Sequence, residues 1–150
     1  MSHLAKKRWA TALSVVFLAG VVLLSAPTTA EAGASGDLWL LARVIYAEAA
    51  GEPYQGKVAV GAVVMNRTRS GIFPSTVAGV IYEPWQFSCV GNYMFNSTPN
   101  QDSINAARDA MNGVDPTGGA LFYFNYHTVT NQWLWSKPFA AQIGNHWFTY

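Results

Sequence analysis

The chain contains very few of the residues that many enzymes use for chemistry. Its 150 residues include one cysteine and three histidines, and only 11% of them are charged. A single cysteine, Cys89, excludes an intrachain disulfide framework, and we expect it to pack as a small hydrophobic side chain rather than to act as a nucleophile. His127 and His146 lie far apart and without the spacing of a zinc site. We therefore expect neither a metal nor a cofactor.

Residues 1–32 have the pattern of a secretory signal peptide. Lys6, Lys7 and Arg8 precede an apolar run over 9–24, and small residues follow up to Ala32. We therefore predict a signal peptide at 1–32 and one exported domain at 33–150, without stable membrane insertion once the signal is removed. An uncleaved anchor is the alternative, although the apolar run is shorter than the roughly 20 residues that a spanning helix needs.

The predicted domain is close to neutral. Without residues 1–32, six basic and seven acidic residues remain. This balance excludes the basic stripe of a nucleic-acid-binding protein and the polybasic surface that holds a protein to anionic lipid. A G-x-S-x-G nucleophile elbow and a glycine-rich phosphate loop are also missing. We expect a monomer whose ligand is uncharged or weakly charged.

Helical patterns dominate the first part of this domain. Four helices are predicted, from Asp37 as N-cap to about Ala50, from Pro53 to about Ser70, from Ser75 to Tyr82, and from Asn100 to Met111. The second is apolar almost all round and should be the central, buried helix. Extended segments are predicted at Ala120–Asn125, Trp133–Ser136 and His146–Tyr150. The fold class is therefore α+β, a helical body followed by a small β-rich lobe.

Glu48 is the carboxylate with the least obvious structural explanation. It follows Ile45 by three residues and so borders the apolar stripe near the end of the first predicted helix. The negative end of the helix dipole and partial burial both disfavour a charged carboxylate there, which suits a group that must donate a proton. We predict that Glu48 is a catalytic acid. A structural role in a buried-charge network is the alternative.

The six other carboxylates of the domain can be given structural roles. These are a helix cap (Asp37), the polar face of the fourth helix (Asp102, Asp109), a proline turn (Asp115), the start of the second helix (Glu52) and solvent (Glu83). An ordinary glycosidase needs two carboxylates, and the second is not evident here. A single acid suffices if the substrate supplies its own nucleophile.

Aromatic residues concentrate in the second half of the chain, and their flat apolar faces suit the C–H faces of sugars. Polar side chains lie among them, in the segments WQFS and LFYFN. We predict that Gln86, Ser88, Tyr123 and Asn125 bind the substrate next to Glu48, because a few directional hydrogen bonds in an apolar cleft orient a ligand. A turn at the end of the strand would explain Asn125 equally well.

Several sequence blocks match a known family in the same order. They are ARVIYAEAAGEPYQGKVAVGAVVMNR, FPSTVAGVIYEPWQFS, AMNGVDPTGGALFYFN, a W-x-W-S-K-P segment and IGNHWF, within residues 38–150. The chain resembles the catalytic domain of the spore cortex-lytic type of bacterial cell wall hydrolase. That resemblance implies a lysozyme-like, lytic transglycosylase-like α+β fold. The predicted signal peptide implies a secreted or cell-wall-associated protein. In the family's A-E-A-x-G-E block, the glutamate expected to be the catalytic acid is Glu48.

The resemblance also implies a substrate and a reaction. The substrate would be the glycan strands of peptidoglycan, cut between N-acetylmuramic acid and N-acetylglucosamine to leave a 1,6-anhydro end. Two alternatives belong to other classes. The first is a non-catalytic peptidoglycan-binding module, in which Glu48 would only form hydrogen bonds. The second is a peptidoglycan amidase or peptidase, which would need zinc ligands or a Cys/His pair that the sequence does not offer.

Overall fold

The computed structural model describes residues 29–150, so that all but the last four residues of the predicted signal peptide lie outside the described residues. The described chain is a helical body followed by a three-stranded sheet. Its helices are α1 Thr29–Ala49, α2 Tyr54–Arg69, α3 Val77–Tyr82, α4 Tyr93–Asn96, α5 Gln101–Met111 and α6 Gln132–Trp135. Its strands are β1 Phe122–Asn125, β2 Phe139–Ile143 and β3 His146–Thr149. The predicted α+β class is confirmed.

Helix α2 is the centre of the helical body. Every residue from Gly56 to Val64 is buried, and the helix packs against α1, α3 and α5 and also reaches β1 and β2. A helix that is apolar all round must be surrounded by other elements, so this sequence segment determines where the rest of the chain packs. The prediction of a central second helix is confirmed.

The sheet has the order β1-β3-β2, and both pairs of strands are antiparallel. Phe148 of β3 is fully buried in the core, whereas Trp147 packs on the opposite face against Trp135 and Phe139, with ring centroids 4.9 Å and 5.1 Å away. Alternate strand residues point to opposite faces. One face of the sheet therefore packs against the helices through Phe148. The other face carries a second aromatic cluster, formed by Trp135, Phe139 and Trp147.

Four details of the predicted secondary structure are wrong, one of them being that the short helix α4 was not predicted. Asp37 is not an N-cap, because α1 includes the preceding residues, several of them alanines that favour helix. Trp133–Ser136 is not extended: Asn131 accepts a hydrogen bond from the Trp133 amide at 3.0 Å and starts α6. Strand β2 was missed since its sequence, FAAQI, is poor in β-branched residues.

The contact of α2 with α1 and α5 depends on Gly61. A Cβ atom at this position would lie 2.9 Å from Ala110 Cβ and 2.9 Å from Ile45 Cδ1. We predict that Gly61→Ala lowers the free energy of unfolding, measured in urea, by about 1–3 kcal/mol, because overpacking forces the helices apart. Gly36→Ala is the control, since nothing lies within 4 Å of that Cβ position. If the two variants are equally stable, the packing at Gly61 is not as tight as described.

Burial of His146 makes stability depend on pH. The side chain is 6% exposed, Nδ1 has no hydrogen-bond partner, and the ring centroid lies 5.2 Å from that of Tyr123. Burial lowers the pKa of His146, against the opposing effect of Glu52 and Glu48. As the pH falls, His146 therefore binds a proton near pH 6.5 in the unfolded chain, but only at a lower pH in the folded chain.

We predict that the free energy of unfolding decreases as the pH falls from about 7 to 5.5, because the unfolded state binds more protons over that range. In His146→Gln, this decrease in the free energy of unfolding should be smaller. His127→Gln is the control and should show the same decrease as the wild type, since the His127 side chain is exposed. Urea denaturation at several pH values measures both slopes. An unchanged slope in His146→Gln would contradict the account.

Candidate active site

Glu48 lies in the last turn of α1, where its side chain is half-buried. The hydroxyl of Tyr123, on β1, donates a hydrogen bond to Glu48 Oε2 at 3.1 Å. The two residues are 75 positions apart in the sequence. The fold thus brings together the residue predicted as the acid and one of the four residues predicted to bind substrate.

Tyr123 is held as a hydrogen-bond donor by its surroundings. Burial, the charge of Glu48 and the hydrogen bond to Glu48 all raise the pKa of Tyr123 well above its ordinary value, and Arg67 opposes them. The phenol therefore keeps its proton throughout the physiological range. It can orient the Glu48 carboxyl group without competing for the role of proton donor.

Cys89 is a second neighbour of Glu48, which the sequence did not indicate. It is 4% exposed and belongs to the hydrophobic core, as expected. Burial, a hydrogen bond to Glu48 and the charge of Glu48 all raise the pKa of the Cys89 thiol. A thiol that keeps its proton is a poor nucleophile. Cys89 therefore lines the Glu48 site as a small, weakly polar side chain.

Two of the remaining glutamates differ from the sequence predictions. Glu52 does not cap α2. Its carboxylate accepts hydrogen bonds from the Asn145 backbone amide at 2.9 Å and from Asn145 Nδ2 at 3.1 Å, and so holds the turn between β2 and β3. Glu83 is not simply solvated, since its Oε2 is buried and has no hydrogen-bond partner.

The aspartates of the domain's second half have structural roles. Asp109 accepts a hydrogen bond from the Tyr54 hydroxyl at 2.7 Å. Asp115 is in a turn, as predicted, and accepts hydrogen bonds from Thr117, Asn66 and Gly119. Burial raises the pKa of Asp115, but these hydrogen bonds outweigh it and hold that pKa below its usual value.

A polar cleft of about 290 Å³ opens beside Tyr123. Its lining residues are Arg67, Trp85, Gln86, Phe122, Tyr123, Asn131, Trp133 and Leu134. Gln86 and Tyr123 are thus in one cleft, as the sequence predicts for a substrate site. A larger pocket of about 360 Å³ lies elsewhere, on Tyr54 and Pro116. It shares no lining residue with the polar cleft.

Ser88 and Asn125 are placed differently from Gln86 and Tyr123. Ser88 is exposed and does not line the cleft. Asn125 Oδ1 accepts a hydrogen bond from the His127 amide at 2.9 Å, so the side chain forms the turn that follows β1. The alternative prediction, that Asn125 belongs to a turn at the end of the strand, agrees with this position. The predicted substrate-binding roles of Ser88 and Asn125 remain predictions.

Arg67 lines the polar cleft and was not among the site residues predicted from the sequence. It is 4% exposed, and its Nε donates to the Leu121 carbonyl at 2.8 Å. The guanidinium lies over the rings of Phe73, Phe87 and Phe122 at 4.8, 5.3 and 5.7 Å. Burial lowers the pKa of Arg67, and Tyr123 and Glu83 oppose that effect. The available signal was a basic residue, Arg67, that follows the apolar segment of α2.

Within residues 29–150, no group of three or more His, Cys, Asp or Glu side chains could hold a metal ion. None of the helices in that range has the length and apolar character to cross a membrane.

Comparisons with known proteins agree with this fold. A family described as cell wall hydrolase matches residues 51–149. The spore cortex-lytic enzyme of Bacillus cereus is 49% identical over 112 residues, which are 75% of this chain and 43% of that enzyme. The chain therefore spans less than half the length of that curated relative.

Two solved structures are similar. The catalytic domain of the Bacillus cereus SleB protein has a TM-score of 0.73 and 47% identity, over 77% of this chain and 91% of that one. The catalytic domain of the germination-specific lytic transglycosylase SleB from Bacillus anthracis has a TM-score of 0.72 and 47% identity, over 76% and 93%. The chain thus belongs to the cell wall hydrolase family and is related to the spore cortex-lytic enzymes.

Proposed function

We propose that this chain cleaves the glycan strands of peptidoglycan. More specifically, it acts as a lytic transglycosylase on the bond between N-acetylmuramic acid and N-acetylglucosamine and leaves a 1,6-anhydromuramic end. Membership of the cell wall hydrolase family supports the substrate class. The similar SleB domain of Bacillus anthracis is named a lytic transglycosylase, which supports the reaction.

The single observation that carries this proposal is the hydrogen bond between Tyr123 and Glu48, next to the polar cleft. It fixes a half-buried carboxyl group through one oxygen, at a site that Cys89 also borders. Preorganised donors of this kind hold a catalytic group in position without reorganisation during the reaction. Tyr123 lines the polar cleft and Glu48 does not, so the carboxyl group is related to the cleft through its hydrogen bond to Tyr123.

In the proposed mechanism, Glu48 acts first as an acid and then as a base. It protonates the glycosidic oxygen while the bond from that oxygen to C1 of muramic acid breaks. As a carboxylate, it then takes the proton from the C6 hydroxyl of the same sugar, whose oxygen forms the new bond to C1. The proton lost in the first step is thus recovered in the second. Water takes no part, and neither metal nor cofactor is required.

The other glutamates fit a one-carboxylate reaction. An inverting or retaining glycosidase would need a second carboxylate within about 5–10 Å of the first. Glu52 is bound to Asn145, and Glu83 has one buried oxygen and contributes to the electrostatic environment of Arg67. We assign both to the support of the structure. The C6 hydroxyl of the substrate then acts as the nucleophile, in place of a second carboxylate.

We predict that Glu48→Gln lowers the rate of peptidoglycan cleavage about 100-fold or more, because the amide keeps the size of the side chain but has no proton to transfer. Glu52→Gln is the matched control: the same chemical change four residues away, at a carboxylate that supports a turn. Its cleavage rate should stay near that of the wild type as long as the domain is folded. Release of soluble muropeptides from purified cell walls measures both rates.

The products of the same digestion distinguish the functional classes. Mass spectrometry should show 1,6-anhydro-muropeptides from the wild type and not from Glu48→Gln. Freed peptide stems would identify an amidase or peptidase, and bound but uncut glycan would identify a binding module. Rapid cleavage by Glu48→Gln would show that another carboxylate is the acid.

A further inference from the structure

The turn that follows α3 has an unusual residue at its third position. The Gln86 amide donates to the Glu83 carbonyl at 3.3 Å, which closes a turn over Pro84 and Trp85. Trp85 has a φ of +69° and is the one non-glycine residue with positive φ within 29–150. A turn with proline second and positive φ third normally has glycine or asparagine in that third position. A tryptophan there strains the backbone.

Packing does not explain the tryptophan either. The side chain is 100% exposed, so its large apolar surface gains no burial in the free protein. Hydrophobic burial is the usual benefit of a tryptophan. Trp85 therefore has an unfavourable backbone conformation and no compensating contact within the fold. Strained residues of this kind concentrate at ligand-binding sites.

The surroundings of Trp85 fit a sugar. It lines the polar cleft together with Trp133, which is half-exposed and meets Phe122 edge to face at 5.2 Å. Gln86 and Asn131 supply amide groups, and Arg67 is a buried cation whose Nη1 has no hydrogen-bond partner. The cleft thus combines flat apolar rings with hydrogen-bonding groups. A pyranose has apolar C–H faces and a rim of hydroxyl and acetamide groups that match both.

We propose that Trp85 is a stacking platform for one pyranose ring of the glycan strand, in a subsite adjacent to the ring that reacts at Glu48. The inference rests on the proposed function, since it takes peptidoglycan glycan as the ligand. The αL backbone of the turn holds the indole out over the cleft in the free protein. The ring is thus positioned before the glycan arrives, and the strand gains affinity because less has to be ordered on binding.

Trp85→Gly separates this role from a structural one. Glycine accepts positive φ without strain, so the melting temperature should equal or exceed that of the wild type. At the same time KM for soluble, peptide-free glycan strands should rise about tenfold, the loss expected of a central aromatic contact, while kcat changes little. Trp85→Phe keeps a ring and should restore most of the affinity. Tyr93→Ala removes another exposed aromatic side chain, one that does not line the cleft, and should leave KM unchanged.

Binding measured without turnover makes the test independent of the reaction. Tryptophan fluorescence should shift when peptide-free oligomers of N-acetylglucosamine and N-acetylmuramic acid are added to the wild type. The dissociation constant should rise about tenfold in Trp85→Gly. If the wild type binds these oligomers but never cuts them, the proposed function fails and the subsite remains.

Two results would overturn the subsite. The first is an unchanged KM and dissociation constant in Trp85→Gly, whatever its cleavage rate. The second is a lower melting temperature in Trp85→Gly together with the wild-type affinity in the folded fraction, which would make Trp85 a support of the fold.

Discussion

The hydrogen bond from Tyr123 to Glu48 joins the two parts of the domain at the carboxyl group that we propose as the catalytic acid. Glu48 comes from the end of a helix and Tyr123 from the first strand of the sheet, so the bond exists only when the sheet is docked on the helical body. The surroundings keep Tyr123 protonated, and the same is true of the thiol of Cys89. Two neighbours of the Glu48 carboxyl group therefore remain protonated.

Helix α2 makes that docking possible. Its buried segment from Gly56 to Val64 packs under α1 and α5, and its last turns carry Arg67 beneath β1, bound to the Leu121 carbonyl. Helix α2 thus positions Glu48 through its packing against α1, and it positions the start of β1 through the hydrogen bond from Arg67 to Leu121. Trp85 is the opposite case. Its ring is exposed and its turn is strained, so local stability is lower at the place where we propose that the glycan binds.

The elements with strong periodicity could be predicted from the sequence, and with them the position of Glu48 near the end of a helix. The apolar helix α2 indicated the core, and the segment LFYFN correctly predicted a strand that carries Tyr123. The role of Glu48 as the acid remains a prediction. Most of the rest depended on tertiary contacts. Nothing local indicates that Glu52 binds Asn145 across 93 residues or that Cys89 meets Glu48. Asn131, by contrast, is a local N-cap signal for α6 that the sequence analysis did not use. Trp85 carried a local signal, a tryptophan after proline where a turn favours glycine, but its φ and exposure come from the structure.

A double-mutant cycle on single-turnover cleavage tests the central claim most directly, that Glu48 performs the chemistry while Tyr123 acts through it. The rates to compare are those of the wild type, Glu48→Gln, Tyr123→Phe and the double variant, with folding verified for each. Groups that act as a unit are not additive in such a cycle. The account predicts that Tyr123→Phe slows the wild type but adds almost nothing once Glu48 is glutamine. Fully additive losses would contradict it, because Tyr123 would then act on the substrate independently of Glu48.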